Sequence, residues 1–171
     1  MAHGDALPEQ STTKLERAQW DFDRAVQLHT DAQHAAHQKG VAVAAAREKL
    51  EQAKREAAAA IPVDRSQREC IGGADPYDAD HRELKPNGQQ RDYVVLSAAE
   101  RAKGFVKPVR RSYVHLKCGV LTTMGQTLAE TYVRDPGFYS GTFCCGCGTH
   151  FTFGQPDGDF VWDGTDERLG S

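Results

Sequence analysis

Long hydrophobic runs are missing from this chain of 171 residues. No stretch approaches the roughly 20 consecutive, predominantly apolar residues that cross a bilayer, which argues against a helical membrane span. The segment Met1 to Gln10 has no basic stretch leading into an apolar one, so no secretory leader is expected there. Aromatic residues are scarce, at 8%, and they concentrate in the C-terminal third, whereas the N-terminal third is dominated by Ala, Gln, Glu and Lys. That imbalance excludes one uniform core and points to a small domain joined to an elongated element. No Gly-rich loop stands between a strand and a helix, and no His-Glu-x-x-His run occurs, so neither a phosphate loop nor a metalloprotease helix is expected.

The formal net charge of −3 conceals an asymmetry. Residues 93–118 carry Arg101, Lys103, Lys107, Arg110, Arg111 and Lys117 against Glu100 alone. Residues 119–171 carry Glu130, Asp135, Asp157, Asp159, Asp163, Asp166 and Glu167 against two arginines. A basic face beside an acidic tail follows.

Residues 11–61 have a helical pattern, preceded by a flexible N-terminus over 1–10. A seven-residue ladder runs Leu15, Phe22, His29, Ala36, Val43, Leu50, Ala57, and three residues on a second runs Ala18, Ala25, Ala32, Lys39, Ala46, Ala53, Ala60. This is the spacing of a coiled-coil seam, large at one position and alanine at the other. Gly40 opens two architectures. It can cap a first helix and turn the chain into an antiparallel hairpin, or one helix can run through it; the ladder keeps phase across Gly40, which favours continuity. In either form the seam at Leu15, Phe22, Val43 and Leu50 needs a mate, a second copy or a protein partner. His29, His34 and His37 read as polar positions on this helix.

Residues 62–92 hold Gly72-Gly73, Asp75-Pro76 and Pro86-Asn87-Gly88 among many charges, and are expected to be a linker and surface loop, with Cys70 an incidental thiol. A compact domain is expected over 93–171. Tyr93 to Leu96 reads as a strand, Ser97-Ala98-Ala99-Glu100 as a capping box opening a short helix, Val109 to Leu116 as a strand, and Gln126 to Arg134 as a helix stopped by Asp135-Pro136. Phe151 to Phe153 and Phe160 to Trp162 read as two strands of a hairpin around Gln155-Pro156-Asp157-Gly158. The fold class expected is α+β: a long alanine-rich helix or helical hairpin, then a small metal-binding α+β domain.

Four of the five cysteines lie between positions 118 and 147, at metal-ligand spacing, which suits a reducing, cytoplasmic compartment. His115-Leu116-Lys117-Cys118-Gly119 and Cys144-Cys145-Gly146-Cys147-Gly148 share one pattern: ligand, two residues, cysteine, glycine. Each half can supply two corners of the tetrahedron that zinc prefers, and the glycine after the second ligand can take positive φ. One structural Zn2+ held by His115, Cys118, Cys144 and Cys147 is the expected cofactor; His150 for His115 and Cys145 for Cys144 are the alternative ligands. A closed four-ligand set with three thiolates makes a poor Lewis acid, so no catalytic residue and no small-molecule substrate are expected.

The two knuckles, HxxCG and CxxCG, resemble the zinc-ribbon class, in which knuckles on β-hairpins hold one metal; the resemblance spans Tyr113 to Trp162. It departs from the simple form in the 25 residues, with a helix among them, between Cys118 and Cys144. The stretch from Arg110-Arg111-Ser112-Tyr113 to Phe151 also resembles small uncharacterised proteins of tailed phages and prophages, which implies an assembly component and a virion-associated location. The expected function is that of a non-enzymatic structural or interaction protein. The competing expectation is a nucleic-acid-binding regulator that lays Arg101 to Lys117 along a phosphate backbone, with Phe105, Tyr113 and Trp162 stacking on bases.

Overall fold

The computed structural model describes residues 13–171. The reading of 1–10 as a flexible N-terminus lies outside the described residues. Contacts divide the chain into two units, Met1–Lys49 and Leu50–Ser171.

Helix α1 (Lys14–Ala59) runs without a break through Gly40, so the continuous helix forms and the hairpin does not. Its start is a reciprocal cap. The Glu16 carboxylate accepts from the Thr13 backbone N–H at 2.7 Å, and Thr13 Oγ1 accepts from the Glu16 N–H at 3.3 Å. Spaced pairs such as Gln19–Asp23 and Gln27–Asp31 brace the exposed surface. The seam residues Leu15, Phe22, Val43 and Leu50 are all exposed, Leu15 at 78%. His29 and His34 bond Gln33 and Gln38 one turn on, as polar surface positions do.

The second unit starts inside the last turns of α1. A helix end leaves carbonyls without partners and favours a positive charge, yet the last turn of α1 has no basic residue of its own. Arg134 supplies one. Its guanidinium donates to the carbonyls of Ala58 at 2.9 Å and Ile61 at 3.0 Å, and to Glu100 at 3.0 Å. Arg134 and Glu100 side chains are completely buried. Beside them Ala58 packs so closely on Gly104 that a Cβ there would lie 3.0 Å from its methyl.

Residues 62–92 are more than a linker. They carry β1 (Arg68–Cys70), which pairs antiparallel with β2 (Val94–Leu96), and a short 3-10 turn over Ala79–Arg82. Cys70 is buried in that ladder, and burial pushes its thiol pKa up. The buried Asp92 carboxylate accepts from the backbone N–H groups of Gly72, Ala74 and Tyr93. These charge-assisted bonds hold the Gly-rich loop that composition alone marks as irregular.

Only half of the expected capping box forms: Ser97 accepts from the Glu100 N–H at the start of α2 (Ala98–Arg101), which ends before Gly104 at φ 108°, but the Ser97 N–H goes to Gln67 O and the Glu100 carboxylate to Lys103 and Arg134. Strands β3 (Ser112–His115) and β4 (Leu121–Thr123) form one antiparallel hairpin, and β5 (Gly141–Cys144) and β6 (Thr149–Thr152) a second. Helix α3 (Gln126–Arg134) joins them and ends at Asp135-Pro136. Strand β7 (Phe160–Trp162) pairs with β3, giving the order β4-β3-β7. The hairpin expected between 151–153 and 160–162 therefore does not form: Phe151 pairs with Thr142 of β5, while Phe160 pairs with His115. The turn between them survives, with Gly158 N–H on Gln155 O at 2.9 Å, but it connects two different sheets. Tyr113, Met124, Ala129, Tyr132, Cys144, Phe160, Trp162 and Leu169 form the core, the buried face of α3 against the β3–β7 sheet.

Candidate metal centre

Both knuckles sit in hairpin turns. His115 ends β3 and Cys118 lies in the turn to β4; Cys144 ends β5 and Cys147 lies in the turn to β6. The two turns close alike: Gly119 N–H donates to His115 O, and Gly148 N–H to Cys144 O, each at 2.8 Å. The glycines take φ 70° and 64°, the left-handed conformation that glycine adopts at least cost. The turns also pack on each other. A Cβ on Gly146 would fall 2.6 Å from a Val120 methyl.

This packing brings the ligand atoms of His115, Cys118, Cys144 and Cys147 within 4.8 Å of one another. Cys118 Sγ lies 3.5 Å from Cys144 Sγ, and His115 Nδ1 lies 3.4 Å from Cys118 Sγ and 3.6 Å from Cys147 Sγ. A tetrahedral ion with bonds of about 2.3 Å to sulfur and 2.0–2.1 Å to nitrogen needs edges of about 3.8 Å between sulfurs and about 3.6 Å from nitrogen to sulfur. The cluster fits one metal ion at that scale.

The imidazole of His115 is set for coordination through Nδ1. The ring is wholly buried, stacked on Phe160 with centroids 4.4 Å apart and tilted against Phe151 at 4.6 Å. Its other nitrogen, Nε2, lies 2.7 Å from the carbonyl oxygen of Asp157. A carbonyl can only accept, so Nε2 carries the proton and Nδ1 presents its lone pair to the three sulfurs. An outer partner of this kind fixes ligand tautomer and orientation. Asp157 has φ 72°, the positive value of a non-glycine residue, and its carboxylate pairs with Lys117 at 2.7 Å. Sequence reasoning missed Asp157, although the Pro-Asp-Gly turn signal marked the position.

The thiols do not titrate alike. The Val120 backbone N–H, with Cys144, Cys147 and His115, pulls Cys118 down to about 7 against a desolvation effect. Desolvation and the two neighbouring thiols push Cys147 up to about 11. A metal cation bound here would take the place of the protons such crowded sulfurs share.

The alternative ligands point elsewhere. Cys145 Sγ contacts Leu121 O at 3.3 Å and Thr122 Oγ1 at 3.4 Å, against β4. His150 Nε2 bonds the Tyr93 hydroxyl at 3.1 Å, and burial lowers its pKa. Cys145 lies in the turn after β5, next to the cluster residue Cys144, while His150 lies in β6 beside Phe151, which packs on the core, as alternation along a strand allows.

The basic stretch is matched by acids of the same unit. Arg101 pairs with Glu69 and Glu130, Lys103 with Glu100, Lys107 and Arg110 with Glu167, and Lys117 with Asp157; Arg111 Nε donates to Met124 O at 3.1 Å. Tyr113 and Trp162, expected as stacking platforms, are buried in the core. The asymmetry seen in the sequence is therefore answered within the fold, where residues far apart in the chain meet.

No protein-family model, curated protein or solved structure matches this chain. Among the described residues no helix is long and apolar enough to cross a membrane.

Proposed function

We propose that the protein is a non-enzymatic interaction component whose C-terminal domain is stapled by one structural zinc ion and whose helix α1 associates with a protein, either a second copy of this chain or a partner. The observation that carries the zinc reading is the closed donor set: three thiols and one imidazole nitrogen, with the second nitrogen of that imidazole already bonded. Thiolate and imidazole donors in a tetrahedron suit zinc among the common divalent ions. Two knuckles on two β-hairpins support the narrower likeness to a zinc ribbon. The phage or prophage assembly role is narrower again, and rests only on the resemblance of residues 110–151.

The arm reading is supported by the exposed ladder Leu15, Phe22, Val43 and Leu50, which alone would leave a long apolar seam in water. Native mass spectrometry tests both halves at once. The expected spectrum shows one zinc per chain, and an oligomer or a co-purifying protein that dissociates on Leu15→Asp with Leu50→Asp. A chain that is natively folded without metal would remove the staple. A strictly monomeric protein would remove the arm's role.

A further inference from the structure

Outside the metal cluster, the unit Leu50–Ser171 carries a cleft of about 720 Å3, within the roughly 300–1,000 Å3 of small-molecule sites. One wall comes from β1, the Ala79–Arg82 turn and the start of β2; the other comes from the β4–α3 junction and the β5–β6 hairpin. Its lining contains no Asp or Glu, in a chain that has 24 of them.

Three arginines line it: Arg65, Arg68 and Arg82. Arg65 is held by both carboxylate oxygens of Asp135, at 2.6 and 2.9 Å. The other two have no carboxylate partner among the described residues. Arg68 lies over the Tyr77 ring at 4.4 Å, and Arg82 Nε donates to His81 Nε2 at 3.4 Å. This is the reverse of the 101–117 stretch, where each acid-facing cation is already matched. Two exposed guanidiniums at an acid-free cleft suit an anion, and the planar guanidinium fork suits phosphate.

The rest of the lining argues against a bare anion. Half-buried Tyr93, Tyr139 and Phe151 offer aromatic surface, and the Gln90 side-chain amide has no hydrogen-bond partner among the described residues. Aromatic faces stack on bases, and an amide pairs a donor with an acceptor as a base edge does. We propose that this cleft binds a nucleotide, either a free nucleoside phosphate or an unpaired nucleotide of a single strand. Arg68 and Arg82 take the phosphate, Tyr93 and Tyr139 the base, and Gln90 its edge. The site lies apart from the basic stretch and needs no metal.

The test titrates the full-length, metal-loaded chain with AMP, GMP, CMP and UMP, and with octamers of dT and rU, following the amide resonances of Gln90, Tyr93 and His150 and measuring affinity by calorimetry. Saturable binding is expected. Arg68→Ala and Arg82→Ala should each weaken it about tenfold or more, the scale of a charged hydrogen bond, with melting temperature unchanged, while Arg110→Ala should leave it as it was. Mononucleotides binding as tightly as octamers identifies a free nucleotide; tighter octamers with a steeper salt dependence identify a strand. The proposal is overturned if no probe moves those resonances, if both arginine variants bind like the parent, or if inorganic phosphate or phosphotyrosine binds as tightly as every nucleotide.

Discussion

His115 and Asp157 are joined by a bond that a turn between two sheets makes possible: the imidazole Nε2–H donates to the Asp157 carbonyl at 2.7 Å, 42 residues along the chain. Asp157 holds this carbonyl while adopting φ 72°. The residue thus links the first knuckle to the turn that precedes β7, and orients His115 Nδ1 toward the cysteine sulfurs.

Substitutions at Asp157 separate this backbone role from the carboxylate's pairing with Lys117. Alanine, asparagine and glycine all remove that pairing, which joins two exposed groups and contributes little. Only alanine resists the left-handed conformation, at about 1–2 kcal/mol. Asp157→Ala is therefore expected to lower metal affinity about tenfold in chelator competition, the lower end for an outer-shell partner, while Asp157→Gly and Asp157→Asn stay near the parent. Equal affinities in all three would mean that the carbonyl contact is incidental.

Cysteine variants distinguish ligand from neighbour. Cys144 and Cys147 belong to the cluster, while Cys145 faces β4. A structural zinc contributes on the order of 10 kcal/mol to folding, more than a small domain can lose. Cys144→Ser or Cys147→Ser is expected to abolish the near-UV dichroism of the C-terminal unit while far-UV helix signal from residues 14–49 persists. Cys145→Ser should keep both signals and bind one metal per chain.

Metal affinity should rise with pH. The proton on Cys147, whose pKa is pushed up to about 11, must leave when the sulfur coordinates. The metal-free state holds that proton and the bound state does not, so raising pH favours binding. Cys118, drawn down to about 7, adds a second proton below neutrality. Affinity is expected to climb at least tenfold per pH unit between pH 8 and 10, one factor of ten for each thiol proton displaced, and more steeply below pH 7. Chelator competition across that range checks it, and a flat profile would exclude thiolate coordination.

Much of the fold is legible in the sequence where local signals are complete. Gln126 to Arg134 is bounded by Asp135-Pro136, and α3 has those limits. The ladder through Gly40 holds phase, and α1 is continuous. The paired knuckles identify the four residues that cluster, His115, Cys118, Cys144 and Cys147, because repetition at short range survives folding. What is not legible depends on distant partners. Arg68-Glu69-Cys70 has no strand pattern of its own and becomes β1 only against Val94 to Leu96. Phe160 to Trp162 looks like the second arm of a hairpin, yet its pairing with Tyr113 to His115 is decided by the core that Phe160 and Trp162 fill. Arg101, Lys107, Arg110 and Lys117 look free because Glu69, Glu130, Asp157 and Glu167 are remote in sequence.

The buried pair Arg134–Glu100 gives the sharpest test of how the end of α1 is held. Neither side chain reaches solvent, so Arg134→Met leaves the Glu100 carboxylate with Lys103 and the Asp64 backbone N–H, and removes the guanidinium from Ala58 O and Ile61 O. Breaking a buried ion pair from one side costs about 3–5 kcal/mol. Arg134→Met should therefore lower the urea stability of the C-terminal unit by that amount and accelerate hydrogen exchange at the Ala60 and Ile61 amides. Adding Glu100→Leu removes the stranded charge and should recover part of the loss. It should leave about 1–3 kcal/mol, because the Ala58 and Ile61 carbonyls still lack the charged guanidinium donor. If the double variant regained full stability and slow exchange, the carbonyl contacts would carry nothing and the pair would act through charge alone; if the single variant lost no stability, Arg134 would not be what secures the last turn of α1.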